Sequence, residues 1–127
     1  MSALVLDAGA LIAIGKGERA VLAEVGRALR SRQPVRTNAM ALAQAWRDGR
    51  GRQATLAKAL HDLVVEPITA EDGRKAGELL GKARLRDAID ASVALLAGPG
   101  DRVLTSDPGD LRRLCDAAGN KAVVVDC

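Results

Sequence analysis

The stretch RVLTSDPGDL, residues 102–111, reads as a buried strand that runs straight into an aspartate. Val103 and Leu104 are apolar, Thr105, Ser106 and Asp107 follow at once, and Pro108 stops the run. The chain opens with the same grammar. ALVLDAGAL, residues 3–11, passes through Leu4, Val5 and Leu6 directly into Asp7. Two covered strands, each delivering a carboxylate at its C-terminal end, set the frame for everything between them.

Short apolar strands alternate with helical periodicity outward from these two. Residues 3–6 read as a strand and 8–14 as a short helix. Residues 18–30 form an amphipathic helix with Val21, Leu22, Val25 and Leu29 on one face. A very short strand follows at 35–37. Thr37 or Asn38 then caps a helix through Met40, Leu42 and Trp46, which DGRG stops. Residues 52–62 are helical again, and 64–68 form a strand that Pro67 places at a sheet edge. Thr69 opens a helix with Glu71 and Asp72 in its first turn. Further helices are expected at 86–97 and 110–118, and strands at 102–105 and 122–125. No linker, repeat or low-complexity tract interrupts the pattern. The expectation is one three-layer α/β/α domain over residues 1–127, with a five-stranded, mostly parallel sheet flanked by helices.

Composition agrees. At 127 residues the chain is long enough for one real core. Phe and Tyr are absent and Trp46 is the single aromatic, so the core is built from Ala, Val, Leu and Ile, which suits helices on a small parallel sheet. The net charge of +3 permits an anionic partner without requiring one. Cys115 and Cys127 are too few for a disulfide framework and lack zinc-ligand spacing, and without a signal peptide the expected compartment is the cytosol, with both thiols reduced. No apolar run reaches the length of a membrane span. His61, the single histidine, reads as a half-buried helix-end residue, which removes triad chemistry and most zinc chemistry.

Carboxylates are left to carry the chemistry. In an open parallel sheet, ligands bind beyond the carboxyl ends of the strands, where Asp7 and Asp107 sit. A third source is LRDAIDASVALLA, where Asp87 and Asp90 are three residues apart on one face of a helix. Asp87 fits a first turn that favours acids; Asp90, further in and amid apolar neighbours, does not have that explanation. Two such charges about 5 Å apart repel by roughly 3 kcal/mol at an effective dielectric of about 20. Convergence therefore calls for a proton or a hard divalent cation, Mg²⁺ or Mn²⁺, and acids with hard cations and no histidine are the equipment of phosphodiester hydrolysis.

The strand-borne Asp7, DASVALLA at 90–97 and VLTSD at 103–107 together resemble the PIN-domain family, and within it the small VapC-type toxins of bacterial toxin–antitoxin pairs. The likeness spans nearly the whole chain in order and length. It implies a five-stranded parallel sheet between helices, Mg²⁺- or Mn²⁺-dependent ribonuclease activity, homodimers, and inhibition by a VapB-type antitoxin. Carried over by position, it implies that Asp7, Asp90 and Asp107 are catalytic metal ligands, with Asp87 as an added acid. Thr105, Ser106 and Asp110 become candidates for orienting water or metal. One position departs from the pattern. Where the family has a glutamate, ALAQAWRDG places Gln44, a neutral oxygen that cannot act as a base; Asp48, one turn on, is a weaker substitute. Either Asp87 supplies the missing charge and the chain cleaves RNA, or it is a PIN-like module that binds RNA or antitoxin without cutting.

Arginine runs add a possible RNA contact. Arg47, Arg50 and Arg52 follow Gln44 and can hold a phosphate backbone beside the metals; the alternative is a solvated face, as it is for Arg27, Arg30, Arg32 and Arg36. Trp46 reads as core, with base stacking as the alternative. AGALIAIGKG, residues 8–17, is apolar all round. It either meets another chain, as at the antitoxin entrance of VapC-type relatives, or is a buried short helix. Other α/β chemistries fit poorly. Gly9 stands where a haloacid-type phosphatase needs its second aspartate, the acidic pair and lysine of a receiver domain are missing, and no Gly-rich phosphate loop follows the first strand.

Overall fold

Leu4, Val5 and Leu6 are all buried, as a strand covered on both faces demands, and they form β1 (Leu4–Leu6). The structure, a computed structural model, describes residues 2–47 and 53–127. After β1 come α1 (Ala8–Gly15), α2 (Arg19–Arg30), β2 (Val35–Asn38), α3 (Ala39–Ala45), α4 (Ala54–Leu60) and β3 (Val64–Glu66). They are followed by α5 (Ala70–Ala83), α6 (Ala88–Ala94), β4 (Arg102–Thr105), α7 (Pro108–Ala118) and β5 (Val123–Asp126).

The strands form one sheet in the order β3-β2-β1-β4-β5, and every pairing is parallel. Leu4, Val5 and Leu6 face Arg102, Val103 and Leu104 in register, so the two aspartate-bearing strands are neighbours at the centre. β3 lies at an edge of the sheet, as expected, and ends one residue before Pro67. α5, α6 and α7 pack against one another, while α1 packs against α2, α3 and α4. Right-handed crossovers produce this division, because the chain winds one way to β3 and the opposite way from β4. The result is a three-layer α/β/α fold.

The core is aliphatic, as the composition requires. Leu4, Leu6, Leu11, Ile14, Leu56, Leu104, Leu111 and Leu114 are fully buried, each contributing about 1.5–3 kcal/mol of transfer free energy. Trp46 is half-buried at the end of α3 and packs on this core. Leu11 and Ile14 are buried and Ile12 is partly covered, so α1 is largely an interior helix. No helix among the described residues is long and apolar enough to cross a membrane. Both cysteines are free thiols.

Several boundaries differ from those expected, for local reasons. The helix expected at 86–97 is α6 (Ala88–Ala94), because Asp87 takes up the cap position with extended backbone. Asp87 is thus the cap and Asp90 lies in the first turn, with the Asp87 carboxylate accepting the Asp90 N–H. α7 starts at Pro108, two residues before the expected 110, since proline suits the first helical turn, where its missing N–H is not needed. β3 stops at Glu66, short of Pro67. α4 spans Ala54–Leu60 within the expected 52–62, and His61 at its end is exposed, not half-buried. Asp48, Arg50 and Arg52 lie outside the described residues.

Candidate metal centre

Strand order reverses between β1 and β4, and at such a reversal the connections leave in opposite directions and open a crevice beyond the strand ends. Asp7 ends β1 there and Asp107 follows β4 by two residues. Three helices also begin there. Asp7 caps α1 with its Oδ1 accepting from Ala10 N–H at 2.8 Å, Asp87 caps α6, and Asp107 stands at the cap position of α7 without a side-chain capping bond. Their partly positive N-termini offset some of the negative charge gathered at the crevice.

Asp90, Asp107 and Asp110 each bring one carboxylate oxygen within 4.8 Å of the others. Asp110 reaches this group because α7 starts at Pro108, which sets it in the first turn. Proximity of exposed acids is common without a ligand; the half-buried Asp90 distinguishes this group. Burial, followed by the charges of Asp87, Asp7, Asp107 and Asp110, pushes the Asp90 carboxyl up to about 7. Four other acids thus act on one side chain.

Asp7 sits behind this trio and is nearly inaccessible, at 2% exposure. Burial raises its carboxyl above the ordinary range, against hydrogen bonds from Thr105, Ala10 and Ser106 that lower it, and the Asp107 charge adds to the rise. Thr105 is buried and does two jobs: its hydroxyl donates to Asp7 Oδ2, and its oxygen accepts the Asp107 N–H at 2.8 Å. Thr37 on β2 donates to the Leu6 carbonyl at 2.9 Å, and Asp7 N–H goes to the Leu104 carbonyl at 3.2 Å, which fixes the end of β1.

The remaining expected site residues differ in their relation to the trio. Asp87 is exposed, and its Oδ1 accepts from the Ile89 and Asp90 N–H groups at 2.9 and 3.0 Å, so it caps α6 while its charge acts on Asp90. Ser106 is exposed, lies against Gly9, and its backbone N–H bonds the Asp7 carboxylate. Gln44 is exposed in the last turn of α3. Arg47 is exposed just after α3, with its guanidinium donating to the Trp46 carbonyl at 2.9 Å.

Three residues that hold the site together escaped sequence reasoning. Asn38 caps α3 through its Oδ1, and its Nδ2 donates to Ser92 Oγ at 2.9 Å. Ser92 in turn donates to the Ile89 carbonyl at 2.6 Å, one peptide before Asp90. Gly9 lets Ser106 approach the start of α1, since a Cβ there would stand 1.9 Å from Ser106 Oγ and 2.6 Å from its Cβ. Asn38 was legible as a cap, but its second bond depends on α6 lying alongside.

The donor set is all oxygen, which suits Mg²⁺ or Mn²⁺ and not zinc. Asp90, Asp107 and Asp110 could hold such a cation, with Asp7 close behind. The raised Asp90 carboxyl is the mark of excess negative charge that a cation or a proton would relieve. Set against family models, curated proteins and solved structures, the chain matches none.

Proposed function

We propose that this chain is a Mg²⁺- or Mn²⁺-dependent endoribonuclease of the PIN-domain, VapC type, hydrolysing RNA phosphodiester bonds. The observation that carries the reading is the meeting of Asp90, Asp107 and Asp110 with the end of β1 at the reversal of a parallel sheet. The order of VLD, DASVALLA and VLTSD along the chain supports it. In this reading the trio binds the cation and Asp7, held by Thr105, keeps the charge field behind it. A bound Mg²⁺ or Mn²⁺ supplies an activated water and neutralises charge on the phosphate. The raised Asp90 carboxyl of the metal-free chain holds a proton that a bound cation would displace. The same resemblance carries a VapB-type antitoxin, a homodimer and a cytosolic setting as parts of the proposal.

Calorimetry with Mn²⁺, run beside cleavage of a labelled RNA, tests the reading. Wild type should bind Mn²⁺ and cut the RNA, and Asp90→Asn and Asp107→Asn should each lose both. No binding at millimolar Mn²⁺, or cleavage that survives both substitutions, overturns it. A second reading, a PIN-like module that binds without cutting, is favoured by one observation: a neutral, exposed Gln44 where the resemblance expects a glutamate. Mn²⁺ binding and RNA binding without cleavage would select that module.

A further inference from the structure

The acidic crevice repels the polyanion it is proposed to cut, so cations must lie along the path of the RNA. We propose that Arg84 and Arg86, in the loop between α5 and α6, form a phosphate-binding rim for single-stranded RNA on the α6–α7 side of the crevice. The inference rests on the nuclease reading and adds a substrate contact distinct from the Arg47 run.

Four observations support it. Arg84 caps α5 at φ 58°, a left-handed position where glycine is the usual occupant and a long side chain carries strain. Arg86 directly precedes Asp87, the cap of α6, so the loop leads into the helix that bears Asp90. Arg113 on α7, one turn on from Asp110, donates to the Ala83 carbonyl at 2.8 Å and holds the end of α5, where the loop begins, against α7. Both loop arginines are exposed, and among the described residues neither is within salt-bridge distance of a carboxylate. An arginine fork matches a phosphate with two parallel hydrogen bonds. Two such forks on the loop that leads into α6 would give the backbone a cationic approach that the acids alone deny.

The test is fluorescence anisotropy with a short labelled single-stranded RNA of mixed sequence, in Ca²⁺, over a salt series, with label integrity checked by gel. Arg84→Gln/Arg86→Gln is compared with Arg30→Gln/Arg32→Gln, a control of equal charge loss. Arg30 and Arg32 precede β2 at the opposite end of the strands, and Arg32 has φ 59°, so the strained backbone is matched. The rim pair should weaken binding about tenfold and lower the slope of log affinity against log salt by about 1.4, two phosphates at roughly 0.7 each. The control pair should leave affinity within about twofold and the slope unchanged. Equal losses in the two pairs, or a rim pair that binds like wild type, overturn the rim while the nuclease reading stands. A wild type that binds no RNA at any salt overturns both.

Discussion

The buried Thr105 hydroxyl donates to the Asp7 carboxylate while accepting the Asp107 backbone N–H, so one oxygen atom ties the acid of β1 to the acid that follows β4. The tie crosses the central strand pair, where the sheet reverses. Thr105→Val keeps the shape and removes both bonds, leaving a buried carboxyl and an N–H without this partner. Urea unfolding should show a loss of about 1–3 kcal/mol, the cost of unsatisfied buried polar groups. Thr105→Ser should recover most of it, and a valine variant as stable as wild type would refute the tie.

Asp90 makes the metal-free protein sensitive to pH. Its carboxyl titrates at about 7 in the folded chain, against an ordinary value of 3.8. Between these values the folded state keeps a proton that the unfolded state has lost, so stability falls as pH rises and levels off above about 7. In EDTA, thermal melts should show that decline, and Asp90→Asn should reduce it to the part that the raised Asp7 carboxyl contributes and melt higher than wild type on the alkaline side. Melting temperatures that climb through this range would contradict the charge crowding. With Mn²⁺ present the proton competes with the cation, and affinity should grow with pH over the same interval.

The fold was legible because strand and helix signals agreed locally: apolar runs ended on Asp7 and Asp107, and Asn38 and Thr69 stood at helix starts. The placement of Asp7, Asp90 and Asp107 near one crevice followed from topology, since parallel strands deliver their ends to one edge. The membership of the trio did not follow. Asp110 enters because Pro108 starts α7 early, and Asp87 stays beside Asp90 as the cap of α6, its Oδ1 taking two N–H groups of that helix start. Both outcomes turn on one or two residues of helix boundary, the least determined feature of a periodic pattern. The Asn38–Ser92 bond joins residues 54 apart, and no local signal announces it.

Gly9 fits where no side chain can. An added Cβ would lie 1.9 and 2.6 Å from the Oγ and Cβ of Ser106, and turning the Ser106 hydroxyl away relieves only the first. Gly9→Ala should therefore lower the melting temperature and weaken Mn²⁺ binding together. Ser106→Gly removes both clashing atoms, and the double variant should regain most of the lost stability. If Gly9→Ala alone melts like wild type, the helix start yields more easily than the packing implies.

Gln44→Glu adds a carboxylate to the last turn of α3, at the position where the resemblance expects one. Under the nuclease reading, Mn²⁺ affinity should rise several-fold and RNA cleavage should quicken. Unchanged affinity in calorimetry would place residue 44 outside the reach of the cation, and the missing glutamate would then have no bearing on activity.

Ser92 reaches Asp90 through the backbone. It accepts from Asn38 and donates to the Ile89 carbonyl, so the first turn of α6 is moored to the end of β2. Ser92→Ala cuts the mooring and leaves Asn38 Nδ2 without its partner, while the α3 cap through Oδ1 survives. Loss of an orienting partner of this kind costs about tenfold in metal affinity. Asn38→Asp should do the same by another route, because aspartate caps α3 equally well but has no N–H to give. Ser92→Thr keeps a hydroxyl able to bond a preceding carbonyl and should bind Mn²⁺ like wild type. The pattern of alanine and aspartate weak, threonine intact, separates mooring from bulk destabilisation, which would follow the melting temperature instead. Equal Mn²⁺ affinity in wild type and Ser92→Ala would show that Asp90 is held by α6 packing alone.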